Sequence, residues 1–334
     1  MAISVPYFPH YTFKRQTKVV MKPLFQSDAY LLFLEQLQEK RQCKLEPFRT
    51  VWLRDGREVG RIAGYIQQDG GRMKRFLSRR AVINGGPYIA PDITEEELTS
   101  LLRTCIKQLK GKAIYIETRN FQDYSAYRQV FESCGFVYEP HYDFIINTES
   151  LEIAESNLGK SRKRDIRTSL RDGATVVEDP TKEQIESFYA ILKDLYESKV
   201  KTPVFPMDFF IKLSETSFAK FILIQYEGRI IGGTVCVFDD DTVYEWFACG
   251  QDGVYKNIFP STLATWSGIR FAAESGHSRF DMMGAGAPGD GGYGVREFKA
   301  KFGGELVEYG RFKYVCNKPL YSIGEFGVKM MKKR

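Results

Sequence analysis

A glycine-rich segment near the end of the chain constrains the fold more than any other stretch. Residues 284–294 combine many glycines with one proline and no bulky aliphatic side chain, so their backbone can approach a ligand closely. The apolar run 279–283 before this segment predicts a buried strand, and residues 295–302 after it predict a short helix. Two glycines then end that helix, and residues 305–312 predict a closing strand. Ligands of α/β folds usually bind where a strand end, a flexible loop and a helix meet in this way.

The same segment has a second interpretation as an ordinary surface connection. Loops of this composition are common at protein surfaces, and Asp290 is a typical turn former. The residues that follow favour a site, because cations there stand beside aromatic residues next to a strand end. These residues are Phe298, Lys299, Lys301 and Phe302.

The order strand, glycine-rich loop, YGVREFKAKFGGE and closing strand resembles the C-terminal half of the FemABX group. These proteins are the peptidoglycan interpeptide-bridge aminoacyltransferases, relatives of the wider GNAT acyltransferase superfamily. In that family an aromatic residue and a lysine on the helix after the loop lie beside the reacting carbonyl. Phe298 and Lys299 match that pair, and Phe302 matches a second aromatic position. The resemblance implies that Lys299 stabilises an oxyanion and that Phe298 packs on the donor.

Two further groups of residues are candidates for the site. Asp281, at the end of the predicted buried strand, is either a proton acceptor or a structural residue. The candidate substrate-binding residues are Tyr293, Arg296, Lys301, Trp246, Tyr244, Lys163, Arg164, Arg167 and Lys201.

The composition limits which classes of protein this chain can belong to. A chain of 334 residues with 43% hydrophobic and 14% aromatic residues suits two folded domains, each with its own core. The six cysteines form no CxxC pair, which favours reduced, packed thiols over a disulfide framework or a zinc site. The three histidines are too far apart in sequence for a metal cluster. We therefore expect neither a metal nor a cofactor.

The sequence also bears on location and partners. The N-terminal stretch has prolines and polar residues where a signal peptide needs an apolar core, and no window reaches the roughly eighteen apolar residues of a membrane span. These patterns predict a cytoplasmic protein. The net charge of +6 is modest, and it favours a polyanionic partner only where cations cluster.

The strongest cluster of cations lies at 158–171. Its cations that share one helix face are Lys160, Lys163, Arg164, Arg167 and Arg171. Such a face is either solvated or bound to a polyanion such as phosphate, pyrophosphate or an RNA backbone. A similar basic helix opens the second domain in the FemABX group, and family members often place a phosphate-binding cation in the following linker, where Lys201 stands here.

Local patterns predict the order of elements in the first half. Residues 27–44 predict an amphipathic helix, and an Asp-Gly turn at 55–56 predicts a hairpin. Thr94 and Glu97 predict a helix capping box. Further strands are predicted at 81–89, 113–117 and 136–146, the first two of them as a splayed pair.

The second half repeats this order. A three-stranded meander over 219–249 and a helix over 260–275 precede the glycine-rich segment. In the last strand of the meander, alternation places Tyr244 and Trp246 on one face, and one strand face should line a cleft. We therefore predict an α/β (α+β) fold of two tandem GNAT-like domains, residues 1–148 and 149–334. Each domain should be a mixed, mostly antiparallel, splayed sheet flanked by helices.

One missing motif bears on the acyl donor. An acetyl-CoA enzyme of the GNAT fold normally carries Q/R-x-x-G-x-G/A, whose backbone N–H groups grip the pyrophosphate. GPYIAPDITEEEL and GQDGVYKNIFPSTL stand in the corresponding places and lack this motif. The absence counts against acetyl-CoA, and the resemblance to the FemABX group implies aminoacyl-tRNA as the donor. The long helical hairpin that some FemABX members insert is also missing between residues 149 and 218, which argues against tRNA binding by such an arm.

The resemblance also implies the acceptor, a nucleotide- or lipid-linked muropeptide, together with a peripheral contact at the inner face of the membrane. Two alternatives stay open. One is an N-acyltransferase that uses acyl-CoA or another acyl donor on a cell-surface polysaccharide or a small amine. The other is a non-catalytic binding module built from degenerate GNAT domains.

Overall fold

The computed structural model describes residues 22–39, 45–68, 78–291 and 293–332. Its helices are α1 Asp28–Glu39, α2 Glu95–Leu109, α3 Arg128–Ser133, α4 Leu151–Asn157, α5 Lys160–Arg171, α6 Lys182–Leu195, α7 Met207–Ser214, α8 Pro260–Glu274, α9 Tyr293–Ala300 and α10 Lys318–Lys332. Its strands are β1 Leu45–Arg54, β2 Arg57–Gln67, β3 Arg80–Gly85, β4 Tyr88–Ile89, β5 Tyr115–Asn120, β6 Val137–Glu139, β7 Tyr142–Asn147, β8 Thr175–Val177, β9 Ala219–Tyr226, β10 Arg229–Phe238, β11 Thr242–Gly250, β12 Arg279–Asp281, β13 Glu305–Glu308 and β14 Arg311–Val315. Short 3-10 turns occupy Leu24–Gln26 and Ser125–Tyr127, and a π turn occupies Tyr196–Val200.

The strands form two mixed sheets. In spatial order the first sheet is β1-β2-β3-β5-β14-β6, with β4 paired to β2, and the second is β13-β7-β12-β11-β10-β9-β8. The pairs β3–β5 and β11–β12 are parallel, and the other paired strands of the described residues are antiparallel. Helices flank both sheets, so the predicted fold class is confirmed.

The two sheets exchange strands across the middle of the chain. β7, from the first half, lies in the second sheet between β13 and β12, whereas β14, from the end of the chain, lies in the first sheet between β5 and β6. The predicted continuous strands 136–146 and 305–312 are therefore wrong, because each is broken into two strands that belong to different sheets. Pro140, which has no N–H to donate, stands at the first break, and Gly310 at the second has φ +64°. The division of the chain at residue 148 stays a prediction, and the sheets do not follow it.

The strands predicted as a splayed pair, β3 and β5, are instead paired in parallel along their whole lengths, from Arg80 and Tyr115 as far as Gly85 and Asn120. Gly85 and Gly86 then have φ +75° and +78°, which turns the chain away towards β4 and divides the predicted strand 81–89 into β3 and β4. In the second sheet β12 ends at Asp281 while its partner β11 continues to Gly250. The space beside the ends of β5 and β12 is left for a cavity.

Local sequence signals account for several elements. Asp55 and Gly56 have positive φ and form the predicted hairpin turn between β1 and β2. The Thr94 hydroxyl accepts a hydrogen bond from the Glu97 amide over 3.3 Å, and the Glu97 carboxylate accepts one from the Thr94 amide over 2.9 Å, which confirms the capping box. The predicted first helix is confirmed over Asp28–Glu39, and β1 begins at Leu45. Residues 40–44 lie outside the described residues.

A shared apolar core ties the two sheets together. The ring of Phe25 lies 5.4 Å from that of Phe121, which follows β5, and 5.4 Å from that of Tyr244 in β11. α1, α6 and α7 pack around this core. α2 and α3 cover the first sheet, and α8 covers the second. Three elements found in the structure, α4, β8 and α10, were not predicted.

Two further findings concern the described residues. None of their helices combines the length and apolar character needed to cross a lipid bilayer. Their five cysteines, Cys105, Cys134, Cys236, Cys249 and Cys316, are free thiols.

Candidate active site

A cavity of about 290 Å³ lies where the two sheets meet. Residues of both halves line it, since β5, β7, β11, β14 and the loop after β12 all contribute. The lining side chains and backbone belong to Tyr65, Gln67, Arg80, Asn84, Arg119, Asn120, Phe121, His141, Tyr142, Asp143, Tyr196, Thr202, Pro203, Phe205, Trp246, Phe247, Met283, Gly284, Gly310 and Arg311. The strand exchange therefore builds the cavity, because Asp143 and Arg311 reach it from strands that sit in the opposite sheets.

One wall of the cavity is basic. Arg119 Nε donates to Glu117 Oε1 over 2.8 Å, and Arg311 Nη1 lies 3.3 Å from the same oxygen. Glu117 is buried, and the neighbouring cations hold its pKa below the usual value although burial opposes them. Because two arginines share one carboxylate and Arg80 adjoins them, this wall has an excess of positive charge. It suits an anionic group on a substrate.

His141 belongs to the same wall. Its Nε2 lies 2.9 Å from Arg311 Nη2. Burial, and then the positive charge of Arg311, lower the pKa of His141 to about 4. The imidazole is therefore neutral at neutral pH, and Nε2 accepts the hydrogen bond from the guanidinium.

Another part of the cavity lining is aromatic. Trp246 and Phe247 stack at 5.5 Å, and Phe205 lies 6.4 Å from Trp246. Both Trp246 and Phe247 line the cavity because the register of β10 and β11 shifts at this point: Val235 pairs with Phe247 and Cys236 with Glu245. The bulge places Trp246 at the cavity as predicted.

The same bulge breaks the alternation on which the prediction for Tyr244 rests. Tyr244 is buried in the shared core, and its hydroxyl lies 3.3 Å from Asp239 Oδ2. It does not line the cavity. The position of Tyr244 therefore does not support the predicted contact with substrate.

Lys299 lies directly behind the cavity wall. Its Nζ donates to the carbonyl oxygen of Met282 and, over 2.6 Å, to that of Gly284. Met283, between them, has φ +53° and lines the cavity together with Gly284. Lys299 is half-buried and is not itself part of the lining. Its ammonium group thus fixes the turn that forms this side of the cavity.

Two carboxyl groups lie beside that turn. Asp143 lines the cavity, and its Oδ1 accepts from the amides of Phe144 over 2.7 Å and Gly284 over 2.8 Å. Asp281 is 1% exposed, and its Oδ1 accepts from the Met283 amide over 2.7 Å. The two carboxyl groups lie close enough to shift each other's pKa.

Burial and the proximity of Asp143 raise the pKa of Asp281 well above its usual value. Burial also raises the pKa of Asp143, but Lys299 and the Gly284 amide oppose that shift. Both shifts are upward, and the rise is greater for Asp281, so a proton that binds to the pair favours Asp281. Sequence reasoning missed Asp143, whose only signal was an acid within the apolar strand YDFIIN.

Phe298 contacts the protein rather than the cavity. The guanidinium of Arg162 in α5 lies 4.3 Å from the centre of its ring, and Arg162 Nη2 donates to the Phe298 carbonyl over 3.2 Å. The ring of Phe302 lies 5.3 Å from that of Phe298 and is fully buried. A second bond, from Arg162 Nη1 to Thr262 Oγ1 over 3.1 Å, ties this group to α8.

Arg296 organises the glycine-rich loop. Its Nε donates to the Ala285 carbonyl over 2.8 Å, and its Nη2 donates to the Ala287 carbonyl over 2.7 Å and to the Asp290 carboxylate. Asp290 in turn accepts from the Ala287 amide over 2.7 Å. The loop is therefore an ordered turn held by one arginine. The side chain of Tyr293 lies outside the described residues.

The other predicted cations do not reach the cavity. Lys163, Arg164 and Arg167 are on the exposed face of α5, where Arg164 pairs with Asp165 over 2.8 Å. Lys301 pairs with Glu297 over 2.7 Å at the surface. Lys201 is exposed, although the next residues, Thr202 and Pro203, line the cavity. Within the described residues no group of three His, Cys, Asp or Glu side chains is arranged to hold a metal ion.

The comparisons with known proteins agree with this architecture. Residues 160–299 match the family model described as an acetyltransferase (GNAT) domain. No protein with a curated description matches the chain in sequence.

Several solved structures are similar over most of the chain. A structure of FemX has a TM-score of 0.67 and 15% sequence identity, and the match covers 90% of this chain and 94% of FemX. The structure of L-PGS from Bacillus licheniformis has a TM-score of 0.56 and 15% identity, with 94% and 99% covered. The C-terminal domain of a protein described as a lysylphosphatidylglycerol synthetase from Agrobacterium fabrum has a TM-score of 0.57 and 14% identity, with 87% and 89% covered. The predicted resemblance is thereby confirmed: residues 160–299 match a GNAT domain, and the chain has a FemX-like fold.

Proposed function

We propose that the chain is a GNAT-type aminoacyltransferase that moves an aminoacyl group from aminoacyl-tRNA to an amine of a peptidoglycan precursor in the cytoplasm. The observation that carries the proposal is the juxtaposition of Lys299, Asp143 and the Gly284 turn at the wall of a cavity between two GNAT-like sheets. The FemX-like fold supports the same class of reaction.

The chemistry is attack of an amine on the ester of aminoacyl-tRNA through a tetrahedral oxyanion, which collapses to the amide as the ester C–O bond breaks and the ribose hydroxyl of the tRNA leaves. Such a reaction needs the two reactants held together and the negative charge stabilised. An ammonium group has three N–H donors, of which Lys299 uses two on the Met282 and Gly284 carbonyls. The third donor and the positive charge are available to an oxyanion that forms against the Gly284 turn.

The attacking amine must also lose a proton. Asp281 is poorly placed to accept it, because its carboxyl group is buried and does not line the cavity. Asp143 lines the cavity, and the charge of Lys299 opposes the rise that burial causes in its pKa. We therefore assign proton acceptance to Asp143, and Asp281 becomes the group that positions it.

The N-terminus of α8 is informative about which acyl donor the chain uses. In an acyl-CoA enzyme the N-terminus of α8 would face a pyrophosphate. Here the Ser261 amide donates to the Asp252 carboxylate over 3.3 Å, and the Phe259 amide donates to Ser169 Oγ over 2.9 Å. Asp252 places a negative charge where the pyrophosphate would lie. This arrangement favours a donor other than acyl-CoA.

The two cavity walls suit the proposed acceptor. Arg119 and Arg311 form a basic wall for phosphate or carboxylate groups, and Trp246 and Phe247 add a stacked aromatic surface to the lining. A nucleotide- or lipid-linked muropeptide has anionic groups that this basic wall would bind.

The test is a transfer assay with the full chain. Separately charged aminoacyl-tRNAs are mixed with a nucleotide-linked muropeptide, and mass spectrometry follows the gain of one aminoacyl residue on the acceptor. Lys299→Met should lower the rate by roughly 100-fold or more, because it removes the proposed oxyanion donor. Lys301→Met, two residues away on the surface, is the matched control and should act like the unchanged protein. Equal rates for both variants, or transfer from acyl-CoA alone, would contradict the proposal.

A second candidate is an N-acyltransferase that uses acyl-CoA on a surface polysaccharide or a small amine. The match of residues 160–299 to an acetyltransferase (GNAT) domain favours it. Added acyl-CoA should then raise the melting temperature of the chain by mass action, whereas charged tRNA should not.

A further inference from the structure

Charges of opposite sign line the cavity close to one another. Asp143 contacts Gly284, whose amide donates to Asp143 Oδ1 over 2.8 Å. The imidazole of His141 also lies against Gly284, since a Cβ at that glycine would be 3.5 Å from His141 Nε2. The same Nε2 accepts from Arg311 Nη2 over 2.9 Å. Two residues, Gly284 and His141, thus connect the acid of the lining to its basic wall.

The protein compensates the charge of Arg311 incompletely. Its Nη1 lies 3.3 Å from Glu117 Oε1, but that oxygen also accepts from Arg119. Its Nε is buried and makes no hydrogen bond within the described part of the chain. Burial lowers the pKa of Arg311, although Glu117 opposes the shift. An anionic ligand at this guanidinium would supply the negative charge that the protein does not.

The size of the cavity limits where that anion comes from. Its volume of about 290 Å³ is below the range typical of sites that hold drug-sized ligands. In a nucleotide- or lipid-linked muropeptide, a sugar and several peptide units separate the phosphates from the peptide amine. With the amine at Asp143, those phosphates lie outside the cavity. The anion beside Arg311 must then belong to the same residue as the amine.

The aminoacyl group of the donor does not supply this anion. Its carboxyl group is esterified to the tRNA, so it carries an amine and no carboxylate. The other nearby anion of the donor is the phosphate of the terminal nucleotide, and the KM for charged tRNA reports on it separately.

We propose that the acceptor presents its amine on an amino-acid residue that also carries a free carboxylate, with the amine at Asp143 and the carboxylate at Arg311 and Arg119. The inference rests on the proposed function, because it names which amines the same site acylates. The amine nitrogen forms the amide bond as the ester C–O bond breaks. Asp143 accepts the amine proton, the leaving ribose oxygen takes up one proton, and the carboxylate does not react.

The first test compares two acceptors on the unchanged chain. Both are nucleotide-linked muropeptides whose acceptor residue is diaminopimelate, and the carboxylate beside its free amine is either intact or converted to a carboxamide. Isothermal titration calorimetry without a donor should show that the carboxylate form binds at least about tenfold more tightly, because the carboxamide loses charge-assisted hydrogen bonds to arginine. The transfer assay should show the same preference in kcat/KM.

Arg311→Met tests which side chain recognises the carboxylate. The variant should bind the carboxylate form as weakly as the carboxamide form, so the preference disappears, while the KM for charged tRNA stays the same. A purely structural role of Arg311 would weaken both forms and keep the preference. Lys313→Met is the matched control, because Lys313 is on the same strand, pairs with Glu139 over 2.7 Å and does not line the cavity. It should keep the full preference.

The proposal is overturned if the unchanged chain binds both muropeptides equally well or binds neither, or if Arg311→Met keeps the preference. A rise in the KM for charged tRNA alone would assign the basic wall to the donor phosphate and would also overturn it. If no donor supports transfer but the carboxylate form still binds more tightly, the proposed function fails and the carboxylate subsite stands. Equal transfer to both acceptors would have the opposite meaning.

Discussion

The carboxyl groups of Asp143 and Asp281 lie beside the Gly284 turn, close enough to shift each other's pKa. They meet because β7 and β12 are neighbouring antiparallel strands, although these strands lie more than a hundred residues apart in the chain. Each carboxylate also accepts a backbone amide of the turn, from Gly284 and Met283. The pair therefore links the proton chemistry of the site to the conformation of its glycine-rich loop.

Asp281→Asn should change how stability depends on pH. The pKa of Asp281 is raised on folding, so the folded state binds more protons than the unfolded state. The stability that this group contributes is present below the unfolded pKa of about 3.9 and falls as pH rises towards the folded pKa, by up to about 1.4 kcal/mol per pH unit. The neutral asparagine has no such dependence. Urea unfolding at pH 5, 6, 7 and 8 should show that the unfolding free energy of the variant increases relative to that of the wild type as pH increases.

The matched control for that measurement is Asp240→Asn, which changes an exposed aspartate. We expect its unfolding free energy to run parallel to that of the wild type across the same pH range. A parallel line for Asp281→Asn as well would mean that the carboxyl pair does not retain a proton.

Arg162→Met should destabilise the fold by about 2–3 kcal/mol. The change removes hydrogen bonds to Thr262 and to the Phe298 carbonyl together with the cation over the Phe298 ring. Arg167→Met, on the exposed face of the same helix, should stay within about 0.5 kcal/mol of the wild type. Denaturant titration measures both, and equal effects would show that Arg162 does not connect α5 to α9.

Gly303→Ala should be far more harmful than Gly276→Ala. Both glycines have φ +84°, so alanine meets the same backbone cost of about 1–2 kcal/mol at each. A Cβ at 303 would lie 2.1 Å from the Asn157 carbonyl oxygen, whereas a Cβ at 276 has nothing within 4 Å. We expect a loss above about 3 kcal/mol at 303. Similar melting temperatures for the two variants would contradict this close approach of α4 to the end of α9.

Arg311→Met should raise the pKa of His141. The pKa of about 4 has two main causes, burial and the charge of Arg311, and the substitution removes the second. Burial remains, so the new pKa should stay below the usual value of about 6.5. NMR titration of the imidazole protons can follow the change, because the chain has only three histidines. Lys313→Met, on the same strand, should leave the His141 titration where it is.

Local signals in the sequence predict many elements correctly. The Asp55–Gly56 hairpin, the Thr94 capping box and the basic helix at 160–171 all depend on residues within a few positions of one another. Interactions between residues close in sequence stabilise these elements, so the sequence alone predicts them. The placement of Lys299 beside the glycine-rich loop was expected from the resemblance of YGVREFKAKFGGE to a known family.

The composition of the cavity could not be predicted in the same way. Asp143, Arg119 and Arg311 are single charged residues in otherwise ordinary strands, and only the pairing of those strands brings them together. The basic residues of α5 gave a strong sequence signal, yet they face solvent. The environment of a helix face depends on which other elements pack against it, and the periodicity of the sequence does not specify those elements.

The sequence by itself determined where helices, turns and the glycine-rich loop lie, because these depend on interactions within one or two turns of chain. Only the tertiary structure decided that β7 and β14 exchange between the sheets, that Asp143 rather than Asp281 faces the cavity and that Arg162 holds Phe298. Each of these depends on which distant strand or helix a segment pairs with. That choice is made by the burial of whole surfaces, to which any one residue contributes only a small part.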